Sequence, residues 1–181
     1  MNEKKKKIEL FRKLGVSLCK RGQWFLCHAF HLKPQKVNSK ELESFVSDIT
    51  GLDKKSISMY DKEYYLTDWE TMKQIIDYDW TESYEYKVDK FDCDNFANAF
   101  ASHLAEIYGL NCVGRFSNAI YSVKTGKLLG YHRANIIAVL KNGALETYCF
   151  EPESDGFVKI EKGKPVVIGN WEYRVSYISF N

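Results

Sequence analysis

Apolar positions along the chain change their spacing once, near residue 110. Before that point they recur at three- and four-residue intervals, the period of a helix with one buried face. Ile8, Phe11 and Leu14 open such a series and the apolar stretch 24–32 continues it. Residues 8–32 therefore predict one or two amphipathic helices, weakened at Gly15 and Gly22 and ended by Pro34. Ser39 predicts an N-cap, followed by an inward stripe of Leu42, Phe45, Val46 and Ile49 and a stop at Gly51. Thr67-Asp68-Trp69-Glu70 has the form of a capping box ahead of Trp69, Met72, Ile75 and Ile76. A further helix begins near Asp92. Its Phe96, Phe100, Leu104 and Ile107 keep to one face, and Gly109 terminates it.

After Gly109 the period shortens to that of strands. Candidates are 111–116, 119–123, 128–140, 144–151, 156–160 and 172–180. Lys124-Thr125-Gly126, Asn142-Gly143, Asp155-Gly156 and Lys162-Gly163 supply turns between several of them. Helices first and strands afterwards predict an α+β fold with an antiparallel sheet. One turn fixes a register. Asn-Gly favours the two-residue type I′ hairpin, which pairs Lys141 with Ala144 and, counting back, Ala134 with Glu151. Side chains alternate, so His132, Glu151 and Glu153 fall on one face. Glu151 is then diagonal to His132 at a Cα separation of roughly 7–8 Å. Asn135 falls on the opposite face.

Composition narrows the class. The chain has 181 residues, of which 45% are hydrophobic and 28% charged, enough for one domain with a full core and too apolar for a disordered tail. The net charge of +2 hides a division: residues 1–40 carry +9 and residues 41–181 carry −7. The expected organisation is a single domain over 1–181, with a basic helical extension at 1–55 and a core at 60–181. A uniformly basic nucleic-acid binder is excluded, and nucleic acid is an unlikely partner. Five cysteines without a CxxC pair argue against a disulfide framework. No apolar run reaches the length of a membrane span, and Glu9, Arg12 and Lys13 break the segment that a signal peptide would need. The expectation is a cytoplasmic protein.

The segment richest in chemistry is Phe91-Asp92-Cys93-Asp94-Asn95-Phe96-Ala97. Asp92 is positioned to cap the helix. Cys93 sits at its N-terminus, where free backbone N–H groups stabilise negative charge on sulfur. A nucleophilic thiol needs a base and a group to orient it. His28 and His31 lie in the basic head. His103 is about 15 Å from Cys93 along the same helix. His132 remains as the base, and the hairpin register offers Glu151 as its acid. Cys112 and Cys149 read as core. Residues 61–106 carry −8, and carboxylates beside a thiol oppose its ionisation, which a bound cation would relieve. Asp92, Asp94, Glu153 and Asp155 are the candidate ligands. The bland alternative is a cap, a solvated side chain and two turn residues.

A cysteine at a helix start, a histidine at a strand start and an acid ending the next strand resemble the order in papain-like and transglutaminase-like cysteine enzymes. Together with Tyr131-His132-Arg133-Ala134-Asn135 and Phe150-Glu151-Pro152-Glu153-Ser154-Asp155, the cysteine segment resembles the C-terminal peptidase domain of the Marasmius oreades agglutinin, over roughly residues 60–160. The resemblance implies a papain-like or transglutaminase-like core and a calcium-activated cysteine peptidase. Cys93 would be nucleophile, His132 base and Glu151 orienting acid, with Ca2+ as cofactor, no organic cofactor, and a protein or peptide substrate. By the same resemblance the chain would be a hydrolase of the cysteine protease, or thiol protease, class. The sequence does not identify a second oxyanion donor; Gln74 and Asn95 are candidates that nothing else in it supports. The competing reading is a non-catalytic binding or inhibitory protein on the same fold, using an acidic groove ringed by tyrosines such as Tyr84 and Tyr86. A third is a metal-binding regulatory module.

Overall fold

The computed structural model describes Gly22 and residues 32–180. The helices expected at 8–32, with His28, His31 and the lysines at 4–7, lie outside the described residues.

The chain opens with strand β1 (Gln35–Asn38) and helix α1 (Ser39–Thr50). Strands β2 (Ile57–Met59) and β3 (Glu63–Leu66) follow, then helices α2 (Trp69–Tyr78) and α3 (Cys93–His103). Six strands complete it: β4 (Val113–Ser122), β5 (Leu128–Lys141), β6 (Ala144–Glu151), β7 (Gly156–Lys159), β8 (Val166–Ile168) and β9 (Trp171–Phe180). One sheet runs β2-β9-β4-β5-β6-β7, with β8 also paired to β9, and β1 pairs with β3 separately. All pairings are antiparallel except β2 with β9. Among the described residues this is a mixed fold of three helices on a mostly antiparallel sheet, in agreement with the α+β class.

Local chemistry sets the boundaries. The Asn38 side chain accepts from the Glu41 N–H at 3.0 Å, so Asn38 rather than Ser39 caps α1. Asp68 rather than Thr67 caps α2, accepting from the Thr71 N–H at 2.9 Å. In each case a carboxamide or carboxylate oxygen reaches the free N–H three residues on, within the first turn of the helix. Gly51 and Gly109 end their helices in the left-handed conformation. The third helix is α-helical only to His103, and Leu104–Tyr108 closes as a π-turn, which keeps Leu104 buried before the chain turns into β4.

The core joins α1, α2 and α3 to the sheet. Leu42, Val46, Met72, Ile75, Phe96, Phe100, Phe116, Ile136 and Phe150 are all almost fully buried. Val37, Leu42 and Val46 thus place part of the segment 33–50 within this core. Asn135 is buried too, and its Nδ2 donates to the Ala97 carbonyl at 2.9 Å and the Gly114 carbonyl at 3.2 Å. That carboxamide ties α3 to the central strands and so fixes where the N-terminus of α3 meets β5.

Gly114 on β4 pairs with Phe180 on β9. A Cβ there would meet the Ser179 carbonyl oxygen at 2.9 Å and Ile136 Cγ2 at 3.0 Å. Both belong to ordered strands that cannot move independently. Gly114→Ala is expected to destabilise the chain by about 1–3 kcal/mol, read from the urea midpoint.

Candidate functional site

The hairpin between β5 and β6 has the expected register. Asn142 and Gly143 both have positive φ, 52° and 79°, as a type I′ turn requires. Pairing runs from Lys141↔Ala144 back to Asn135↔Phe150. Continuing that alternation puts His132 and Glu151 on one face, and their side chains meet: His132 Nε2 lies 2.5 Å from Glu151 Oε2. Both side chains are nearly buried, at 10% and 5% exposure.

Cys93, the first residue of α3, reaches the same imidazole. Burial opposes a charge on His132, but hydrogen bonds to Cys93 and Glu151 and the charge of both outweigh it, and the imidazole is pushed up to about 10. His132 is accordingly an imidazolium at neutral pH. The three residues singled out from sequence therefore stand together, with the histidine in the middle.

Tyr173 completes the cluster and was not foreseen. Its hydroxyl donates to Glu151 Oε2 at 3.1 Å, the oxygen that also receives His132. Burial, followed by the nearby Glu151 charge, pushes the Tyr173 phenol up. Glu151 Oε1 is buried and has no partner among the described residues. Cys112 and Cys149 are core, as expected. Burial pushes the Cys112 thiol up to about 12 and raises Cys149 as well.

Next to the cluster lies an open depression of about 320 Å³, lined by Asp92, Cys93, Asp94, Ser117, Asn118, Tyr131, His132, Arg133 and Ser176. Its floor is shaped by a bulge. In the β4–β9 ladder Ser117 pairs with Tyr177 and Asn118 with Val175, leaving Ser176 over. Ser176 Oγ then donates to the Ser117 carbonyl at 3.2 Å, and Asn118 Nδ2 to the Phe116 carbonyl at 2.6 Å. Tyr131 stands on the rim at 85% exposure. Ser117, Asn118 and Ser176 escaped the sequence reading because a bulge shifts side-chain parity and leaves no pattern of its own. Neither Gln74 nor Asn95 lines the depression. Asn95 instead accepts from the Asp92 N–H at 3.2 Å, closing the start of α3.

Asp92 and Asp94 hydrogen-bond to each other. That contact lowers Asp92 and raises Asp94, so the pair holds a shared proton more readily than two separate carboxyls would. Arg133 Nη1 lies 3.6 Å from Asp94 Oδ2. The four carboxylates named as cation ligands do not gather into one set. Burial, then the charges of Glu82, Asp79 and Asp77, raise Asp155 to about 6, which places it in a different acidic neighbourhood. Glu153 is raised by burial and by Glu151, with Asp92 a smaller influence. Among the described residues no group of three or more His, Cys, Asp or Glu side chains could hold a metal ion.

A second histidine–carboxylate pair lies away from the depression. His103 Nδ1 is 2.7 Å from Asp79 Oδ2, beneath the Trp80 ring at 4.4 Å between centroids. It pins the turn at Thr81–Ser83 to the end of α3. Of the tyrosines expected to ring a groove, Tyr84 and Tyr86 pack on Phe91 and Phe96, with centroids 5.0 and 6.3 Å apart. No helix among the described residues is long and apolar enough to cross a membrane.

No family model and no curated protein matches the sequence. Solved structures do match in shape. One is described as a PSL1a-E64 complex, at 17% identity and TM-score 0.53, covering 80% of this chain and 51% of the other. Another is the Polyporus squamosus lectin bound to the human-type influenza-binding epitope Neu5Aca2-6Galb1-4GlcNAc, at 16% identity and TM-score 0.54, covering 80% and 49%. The chain thus spans about half the length of the solved chains it matches. These findings correct the sequence reading. One of these structures carries the name of a lectin, and neither carries the name of a papain-like or transglutaminase-like peptidase. The assignment to that peptidase superfamily, the Cys93-His132-Glu151 hydrolase with peptide substrate, and the labels hydrolase, cysteine protease and thiol protease are overturned. The physical reason is that three short motifs specify a local arrangement of side chains, which a buried charge cluster also needs. What the likeness establishes, at this identity, is a fold shared with these solved chains.

Proposed function

We propose that the chain is a non-catalytic binding protein and that the depression at the start of α3 takes a carbohydrate. The observation that carries this reading is the make-up of the depression. An exposed aromatic ring, Tyr131, stands beside a carboxylate–guanidinium pair, Asp94 and Arg133, and the small polar side chains Ser117, Asn118 and Ser176. A sugar presents both kinds of surface, C–H faces that pack on an aromatic ring and hydroxyls that both donate and accept hydrogen bonds. The likeness in fold to a lectin solved with a bound glycan supports the same reading.

In this scheme the buried cluster is a support. Glu151 and Tyr173 hold the His132 ring, and the ring holds the N-terminus of α3 through Cys93, so the wall of the depression keeps its shape. The test is calorimetric titration of the full chain with Neu5Acα2-6Galβ1-4GlcNAc and with Galβ1-4GlcNAc. Saturable binding of at least one glycan is expected, weakened about 5–30-fold by Tyr131→Ala, the loss of one stacked ring. Absence of binding to both glycans, or binding indifferent to Tyr131→Ala, would overturn the assignment.

A further inference from the structure

We infer that Cys93 is a modification site for small hydroperoxides, taking up one oxygen to become a sulfenic acid. This goes beyond carbohydrate binding and does not depend on it.

Three observations converge. Cys93 is half-buried and lines an open depression, whereas Cys112 and Cys149 are sealed in the core. A small oxidant can therefore reach one of the three described thiols and not the others. Its sulfur lies against the His132 side chain at the start of the 11-residue helix α3. Finally, Asn118 lines the same depression while only 2% exposed. Its Nδ2 is committed to the Phe116 carbonyl, which makes its other atom, Oδ1, an acceptor, and that acceptor has no partner among the described residues. A hydroperoxide, or the sulfenic acid it leaves, brings the O–H that such an acceptor lacks.

The step balances within the site. The sulfur attacks one peroxide oxygen as its thiolate, an S–O bond forms and the O–O bond breaks. Sulfur is oxidised by two electrons and the peroxide is reduced. The departing hydroxide takes the proton of the His132 imidazolium and leaves as water. With Cys112 and Cys149 buried, neither is placed to resolve the product as a disulfide.

The experiment is a short exposure of the full chain to hydrogen peroxide, with dimedone to trap sulfenic acid and peptide mass analysis to locate it. Label is expected on Cys93 at least about 10-fold faster than on Cys112 or Cys149. His132→Gln is expected to slow Cys93 labelling about 10-fold or more. Continued protection of Cys112 and Cys149 in that variant shows that it is folded. Should it unfold, Asn118→Ser gives a second reading, with an expected loss of a few-fold. Labelling of Cys93 no faster than of free cysteine, or equal labelling in wild type and a folded variant, would overturn the inference. Glycan titration is read separately, so failure of one proposal leaves the other standing.

Discussion

Replacing Glu151 by alanine is expected to lower the unfolding free energy by about 3–5 kcal/mol, the usual cost of removing one partner from a buried ion pair. The carboxylate is hydrogen-bonded to the His132 ring at 2.5 Å, and both partners are nearly out of water. Its removal leaves a buried cation and strands the Tyr173 hydroxyl, whose acceptor it was. The loss has a ceiling, because His132 can give up its proton and become neutral. Glu151→Gln keeps the volume and an oxygen for Tyr173 but not the charge, and should cost less, about 1–3 kcal/mol. Equilibrium urea unfolding, followed by tryptophan fluorescence, reads both. The Tyr173→Phe change should be non-additive with Glu151→Ala, since it removes a hydrogen bond that the first variant has already broken. If Glu151→Ala lies within 1 kcal/mol of wild type, the carboxylate is not what holds the imidazole.

The residues of this cluster differ in how far sequence alone could find them. Glu151 was accessible because Asn142-Gly143 dictates a turn type, the turn dictates a register, and a register carries side-chain parity along both strands. Cys93 was accessible because Asp92, Phe96 and Phe100 mark a helix start and its inward face. Tyr173 was not, since β9 is separated from β6 by β7 and β8, and the Ser176 bulge resets its parity partway along. Strands β1, β2, β3 and β8 are three or four residues long, too short for an alternating pattern to stand above chance, and their pairing is fixed by tertiary contacts. The segments 111–116 and 119–123 read as two strands because Ser117 and Asn118 interrupt the apolar run. They are one strand, β4, whose polar pair looks into the depression. The motifs around Cys93, His132 and Glu151 thus name side chains that the fold brings together, while the peptidase function attached to them did not survive comparison of folds.

Stability should fall as pH rises from neutrality, and His132 should account for most of the first part of the fall. Its proton is held to about pH 10 in the folded chain, against 6.5 for an unperturbed imidazole. Between those values the folded state binds a proton that the unfolded state has released, so unfolding becomes easier with each step of pH. The stabilisation is complete below about pH 6.5 and is lost by the time pH passes the folded value. Over pH 7 to 8.5 one such proton is worth about 2 kcal/mol. The groups facing the ring are Glu151 on β6, Tyr173 on β9 and Cys93 on α3. Tyr173 and the buried Cys112 and Cys149 are raised too, and their unfolded counterparts lose protons mainly above this window, which steepens the fall at higher pH. A series of urea midpoints at pH 7.0, 7.5, 8.0 and 8.5 isolates the histidine. Wild type should lose about 2 kcal/mol across it, while His132→Gln, less stable at pH 7, should lose markedly less. Parallel slopes in the two proteins would mean that His132 is already neutral at pH 7 and that its contact with Glu151 is an uncharged hydrogen bond. The predicted stability loss for Glu151→Ala would then shrink with it, because the buried cation on which that loss depends would not exist.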